Sequence, residues 1–258
     1  MSRLRSLIGA VYGAGVLLGA IASAAVIGTA LALPFAPIPR GRRERYTLTA
    51  AVLWARSVLC LLGARLVVTG ESGLAPDEGA LVLCNHRSWL DPVALIVALR
   101  SNGLSKREIL WIPVIGLYGW LAGAVFFDRR DRAARQRARD DVLALIRGGA
   151  RIQVFPEGTR SRDGRLSDKV YLTLAGDCYR AGHPVVPCAV WGTERALPVG
   201  VPVAWPGQTV CLDVGAALRP ASFASEEAFV AACWDAVVRR VRRFEEAVPG
   251  AGLEPAIP

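Results

Sequence analysis

Lysine is nearly missing from this chain. Lys106 and Lys169 are the only two among 258 residues, so the net charge of +9 is carried almost wholly by arginine. Such a surplus suits an anionic partner: nucleic acid, acidic lipid or a phosphorylated substrate. Nucleic acid is the weakest of the three, because no zinc-finger spacing and no RNP-like aromatic motif is present. Histidine is equally scarce. His86 and His183 lie far apart and no third metal ligand falls near His86, which argues against a metal site. None of the six cysteines (Cys60, Cys84, Cys178, Cys188, Cys211, Cys233) forms a C-x-x-C pair, and each sits in or beside an apolar run. They read as small buried hydrophobes in a reducing compartment. The chain has no internal repeat and no low-complexity tail, which sets aside solenoids. Its length suffices for one catalytic domain with a sizeable core.

Charge is also missing from residues 7–35, LIGAVYGAGVLLGAIASAAVIGTALALPF. This exceeds the roughly 20 apolar residues that span a bilayer, and it is too long for the usual core of a cleaved signal peptide. Arg3 and Arg5 precede it, and Arg40, Arg42, Arg43 and Arg45 follow. Positive charge on both flanks removes the asymmetry that orients a span. A second apolar run starts at Tyr46 with only Arg56 in its middle, and Pro34, Pro37 and Pro39 break the chain between the two. Two arrangements fit: one span followed by an amphipathic surface helix, or a helical hairpin dipping into one leaflet. The hairpin accounts better for the symmetric arginines. Residues 1–66 are therefore expected to form a two-helix membrane-attachment segment, and residues 67–258 an α/β domain.

Beyond Ala64 the pattern alternates. ARLVVTG and GALVLCNH read as strands punctuated by glycine. Asp91-Pro92 opens a short helix, with proline in its first turn. ILWIPVIGLYGWLAGAVFF is apolar throughout, but its proline and three glycines argue against one regular helix, and a strand is expected at its end. DRAARQRARDDVLALIRGG is a helix with a glycine stop. RIQVFPEG, HPVVPCAVWG and QTVCLDVG read as strands, while KVYLTLAGDCYRAG and SEEAFVAACWDAVVRRVRRFEEAV read as helices. Strands alternating with helices predict a layered mixed sheet flanked by helices.

Three short stretches carry chemistry. In CNHRSWLDP, His86 leaves the end of a strand and Asp91 stands five positions later, at the start of a helix. Histidine is the natural general base near neutral pH, and a carboxylate on its other ring nitrogen would fix its tautomer. Taken alone, the pair also fits a structural histidine. Ser88 lies beside it, but no G-x-S-x-G elbow surrounds it. In FPEGTRSR, Pro156 and Gly158 set a sharp turn that gathers Glu157, Thr159, Arg160 and Arg162 on one loop able to hold an anion. An ordinary solvated Glu–Arg loop reads the same way. In GAVFFDRR, Asp128-Arg129 closes a strand where ligand loops gather in α/β sheets.

Their order along the chain, with Val186-Pro187 following, resembles the glycerolipid acyltransferase superfamily, including the lysophosphatidic acid acyltransferases. The resemblance covers roughly residues 65–215. It implies that His86 deprotonates an acceptor hydroxyl, oriented by Asp91, and that the oxygen attacks the thioester of acyl-CoA or acyl carrier protein directly. By the same resemblance, Asn85, Arg129, Glu157, Gly158, Thr159, Arg160, Lys169 and Pro187 line the substrate site. No metal or held cofactor is expected. The implied partners are membrane lipids, the acyl donor and a lysolipid, with no nucleic acid. The implied location is the inner (cytoplasmic) membrane, active site on the cytoplasmic face.

Two stretches differ from common family forms: Arg87-Ser88-Trp89-Leu90 inside the first motif, and Lys169-Val170-Tyr171, where a glycine often follows the lysine. Lysophosphatidic acid is the expected acceptor, with lyso-ornithine lipid or a lysophospholipid as alternatives. A non-catalytic lipid-binding protein of the same fold and a lipid hydrolase are the readings of other classes.

Overall fold

The two N-terminal apolar runs fold as a helical pair laid along an α/β domain. The structure is a computed structural model that describes residues 3–247 apart from Gly41, Pro113 and Arg129, and without the side chains of Arg3 and Arg45. In chain order its elements are α1 (Arg3–Leu31), α2 (Glu44–Leu61), β1 (Arg65–Gly70), β2 (Ala80–Cys84), α3 (Asp91–Leu99), β3 (Asn102–Lys106), α4 (Ile115–Leu121), β4 (Val125–Phe127), α5 (Arg132–Arg147), β5 (Arg151–Val154), α6 (Thr173–Ala181), β6 (Val185–Trp191), α7 (Thr193–Ala196), β7 (Thr209–Val214) and α8 (Glu226–Ala247).

Seven strands form one sheet in the order β1-β7-β6-β2-β5-β3-β4. Strands β2 to β6 run parallel to one another, β7 is antiparallel to β6, and β1 is parallel to β7. The sheet is mixed, as the alternating pattern implied. Successive side chains of β2 point to opposite faces. Val82 and Cys84 join a core with Leu59 of α2, Leu62 just past its end, Val93 and Leu95 of α3, and Val186 and Leu212. Leu81 and Leu83 join the other core with Val142 of α5, Cys178 of α6, and Phe229, Cys233 and Val237 of α8. A fully buried side chain such as Phe229 contributes about 1.5–3 kcal/mol.

Two elements depart from the sequence expectation. Strand β3, Asn-Gly-Leu-Ser-Lys, carries none of the β-branched or aromatic residues that mark a strand. It is a strand because β5 and β4 pair with it on both sides. The helix expected from Lys169 begins only at Thr173. The preceding residues run along the β5 loop, where Tyr171 N donates to Pro156 O at 2.8 Å. Of the cysteines, Cys84, Cys178, Cys188 and Cys233 are buried, but Cys60 is exposed and Cys211 half-buried; all six are free thiols.

Helix α1 is docked along most of its length. A Cβ at Gly9 would lie 2.8 Å from Trp205, and one at Gly28 would collide with the Tyr118 ring, so these glycines allow close approach to the domain. Tyr12 Oη donates to Leu61 O at 2.6 Å and Trp54 Nε1 to Ala20 O at 3.0 Å, tying α1 to α2. Arg43 donates to Trp120 O at 3.2 Å and Thr47 to Leu121 O at 2.9 Å, tying α2 to α4. The opposite side of α1, with Leu7, Val11, Leu18 and Val26, is exposed.

Candidate active site

The parallel strands end on one edge of the sheet: β2 at Cys84, β3 at Lys106, β4 at Phe127, β5 at Val154 and β6 at Trp191. His86, Asp128 and Glu157 are thus brought to the same end. His183 precedes β6 and lies at the opposite end.

His86 is partly exposed, and its Nδ1 lies 2.8 Å from Asp91 Oδ2. Asp91 is fully buried in the first turn of α3, where the helix dipole favours a carboxylate. Its Oδ2 also accepts the N–H groups of Arg87 and, at 2.7 Å, Ser88, and its Oδ1 accepts Thr193 Oγ1. Three donors on Oδ2 hold the carboxylate as an acceptor, so the imidazole proton belongs on Nδ1. No described protein group bonds to Nε2, which is left for a substrate. The ring stacks on Phe155 with centroids 4.1 Å apart.

Glu157 is built into this turn. Its Oε1 accepts His86 N–H at 2.7 Å and its Oε2 accepts Ser167 N–H at 3.1 Å. Ser161 N donates to His86 O at 2.8 Å, so both backbone groups of His86 are bound by the FPEGTRS loop. Burial pushes the Glu157 carboxyl above its ordinary value, and the two backbone donors oppose that rise. Gly158 closes the turn, its N–H on Phe155 O at 3.0 Å, with φ of 68°. Arg160 is half-buried with its guanidinium 4.5 Å from the Trp89 ring centre. Burial draws its pKa below the usual guanidinium value, with Asp91 opposing.

The remaining expected residues are spread more widely. Thr159 is exposed on the same loop. Lys169 is exposed, its Nζ 5.6 Å from the Tyr171 ring centre, two residues beyond the Ser167 that binds Glu157. Arg129 lies outside the described residues. Asn85 is turned inward, its amide spanning to β6 through Val190 N at 2.8 Å and Val190 O at 3.0 Å. That joins the end of β2 to β6 beyond their ladder and occupies both ends of the side chain. Pro187 is buried within β6, level with Leu83, because the strand continues to Trp191 before reaching the rim. Ser88 Oγ donates to Leu197 O at 2.8 Å.

Three contributors were not anticipated. Thr193 reaches Asp91 from the start of α7, more than a hundred residues away, and nothing in the local pattern announces it. Phe155, visible in the motif, provides the ring under His86. Arg87 is buried with its guanidinium 3.9 Å from the Trp191 ring centre, between Glu194 at 3.6 Å and Glu245 at 3.8 Å. It ties the catalytic turn to the end of α8.

A base with one nitrogen fixed and the other open, beside a basic loop, can take a proton from a bound hydroxyl. Residues 65–191 match the family model described as Acyltransferase. A chloroplastic 1-acyl-sn-glycerol-3-phosphate acyltransferase of Brassica napus is 33% identical over 171 residues, 65% of this chain and 48% of that protein. The 1-acyl-sn-glycerol-3-phosphate acyltransferase alpha of Homo sapiens is 36% identical over 109 residues, 41% of this chain and 38% of that protein. The crystal structure of the 1-acyl-sn-glycerophosphate (LPA) acyltransferase PlsC from Thermotoga maritima matches with a TM-score of 0.76 at 26% identity, covering 95% of this chain and 98% of that one. The chain spans about half the length, or less, of these curated relatives.

Proposed function

Because residues 65–191 match the family model described as Acyltransferase, we propose that this protein transfers a fatty acyl group from acyl-CoA or acyl carrier protein to the free hydroxyl of lysophosphatidic acid. The observation that carries the reading is the division of the His86 ring: Asp91 takes Nδ1, and Nε2 has no partner among the described residues. Nε2 accepts the proton of the acceptor hydroxyl as its oxygen forms a bond to the thioester carbonyl. Collapse of the tetrahedral intermediate breaks the carbon–sulfur bond, and the imidazolium returns the proton to the departing thiolate. No acyl-enzyme is formed. Arg160, with Arg129 and Arg162, holds the acceptor phosphate through charge-assisted hydrogen bonds. Glu157 works at one remove, keeping the His86 backbone in place. These assignments are supported by the shared strand ends and by relatives named for 1-acyl-glycerol-3-phosphate acylation.

The same reading places the protein on the cytoplasmic face of the inner membrane, held by α1 and α2 as a hairpin in one leaflet. The docking of α1 against Trp205 near its start and Tyr118 near its end supports this. A helix fastened to the domain along its length lies beside it rather than crossing away from it.

Purified protein incubated with acyl-CoA or acyl carrier protein and a panel of lysolipids, read by mass spectrometry, tests the assignment. Phosphatidic acid formed from lysophosphatidic acid is the expected product. Acylation of a phosphate-free lysolipid alone would overturn the acceptor assignment, and free fatty acid released without an acceptor would identify a hydrolase.

A further inference from the structure

Residues 109–121, ILWIPVIGLYGWL, contain no charged side chain and connect β3 to β4. A connecting segment of this composition in a water-soluble domain buries its apolar face against the sheet. This one does not. The 3₁₀ turn Arg107–Trp111 has no buried residue, and α4 buries only Gly116 and Leu121. Trp111 is 72% exposed, Leu117 49% and Trp120 39%.

The segment instead leans on the N-terminal helices. Tyr118 packs where Gly28 leaves room and its hydroxyl lies 2.6 Å from Thr29 Oγ1. The Arg43 guanidinium sits 4.0 Å from the Trp120 ring centre. The uncovered side of α4 is therefore continuous with the uncovered apolar side of α1. Exposed Lys106 and Arg107 precede the segment, with exposed Glu108 between them and it, and exposed Arg42 lies in the linker that precedes α2. Trp89, 52% exposed, and Tyr171, also exposed, stand on loops at the same strand ends. Apolar side chains mixed with tryptophan and tyrosine and edged by cations match the headgroup boundary of an anionic bilayer.

We propose that residues 109–121 form a second lipid-contacting surface, in which Trp111 and Leu117 enter the bilayer beside α1 and bring the His86 rim down to its lipid substrate. This rests on the membrane-attached acyltransferase reading above and adds to it a contact separate from the N-terminal hairpin. The partner is the surface of an anionic bilayer.

The test uses the full-length protein with vesicles of phosphatidylethanolamine and phosphatidylglycerol whose acyl chains are brominated. Flotation with the vesicles reads attachment by α1 and α2. Bromolipid quenching of tryptophan emission reads the new surface. Trp111→Phe should still float and should lose the quenchable emission of one tryptophan of the seven. A Trp111→Glu/Leu117→Glu variant should show a KM raised about ten-fold or more for bilayer-embedded lysolipid, since the apolar burial is lost. Its turnover of a short-chain, water-soluble acceptor should be unchanged. If wild type fails to float, the membrane reading itself fails. If wild type floats but Trp111→Phe leaves the quenching unaltered, this inference alone is wrong. A detergent-stable dimer abolished by the double variant would also overturn it, by assigning the surface to a second copy of the chain.

Discussion

Replacing Asp91 by asparagine separates two roles that a carboxylate plays beside a histidine: fixing the tautomer and supplying charge. Asp91 Oδ2 faces His86 Nδ1 and the N–H groups of Arg87 and Ser88, while Oδ1 faces the Thr193 hydroxyl. An asparagine amide has one acceptor end and one donor end. Its NH₂ turned toward Arg87 and Ser88 would leave two buried backbone donors unpaired, at about 1–3 kcal/mol each. Turned toward Thr193 it meets a hydroxyl that can rotate to accept. The amide oxygen therefore takes the Oδ2 position, and the imidazole keeps its proton on Nδ1. What is lost is charge. Charge-assisted bonds contribute about 1.5–3 kcal/mol against about 0.5–1.5 for neutral ones, so the barrier should rise by roughly 1–2 kcal/mol, a loss of about 5- to 30-fold in kcat. His86→Ala should lose about 10²–10⁴-fold. Asp91→Ala should lower stability as well, by about 2–6 kcal/mol from the two stranded donors. Initial rates with lysophosphatidic acid, alongside thermal melts of the three variants, measure all of this. A folded Asp91→Asn enzyme as inactive as His86→Ala would show that the tautomer is lost and the reasoning from the turn is wrong.

Arg160→Ala should raise the KM for a phosphate-bearing lysolipid by about 10- to 100-fold, the worth of a lost charge-assisted contact, and leave the KM for the acyl donor unchanged; unchanged values for both would remove the phosphate assignment. Glu157 holds its proton more tightly in the folded protein than an ordinary carboxyl does because burial raises its pKa. From about pH 4.3 upward the folded state therefore binds more protons than the unfolded chain, and stability should fall as pH rises through this window. Melting curves of Glu157→Gln should lack that slope, and a retained slope would mean that another group produces it. The hairpin should keep the protein on membranes through a high-salt wash that screens surface charge. Single cysteines at Leu4 and Arg42 in a cysteine-free variant should both label from the cytoplasmic side only, and labelling on opposite sides would establish a full span.

Periodicity and punctuation alone determined much of this molecule. The uncharged run at residues 7–35, the glycine-bounded strands and the arginine-rich helix before Gly148 each announce themselves locally, because backbone propensity and side-chain period act over a few residues. The His86–Asp91 pair was legible for the same reason: a strand-to-helix turn closes within five positions. Only the tertiary structure decided what surrounds that pair. Strand β3 exists through pairing with its neighbours rather than through its own residues. Thr193 and Glu157 approach the catalytic turn because parallel strands separated in sequence share one end. Asn85 turns inward because Val190 N–H and C=O stand beside it unpaired by any strand partner of their own on that side. Such contacts depend on register across the sheet, and register is set by the packing of both cores at once, which no short stretch of sequence records.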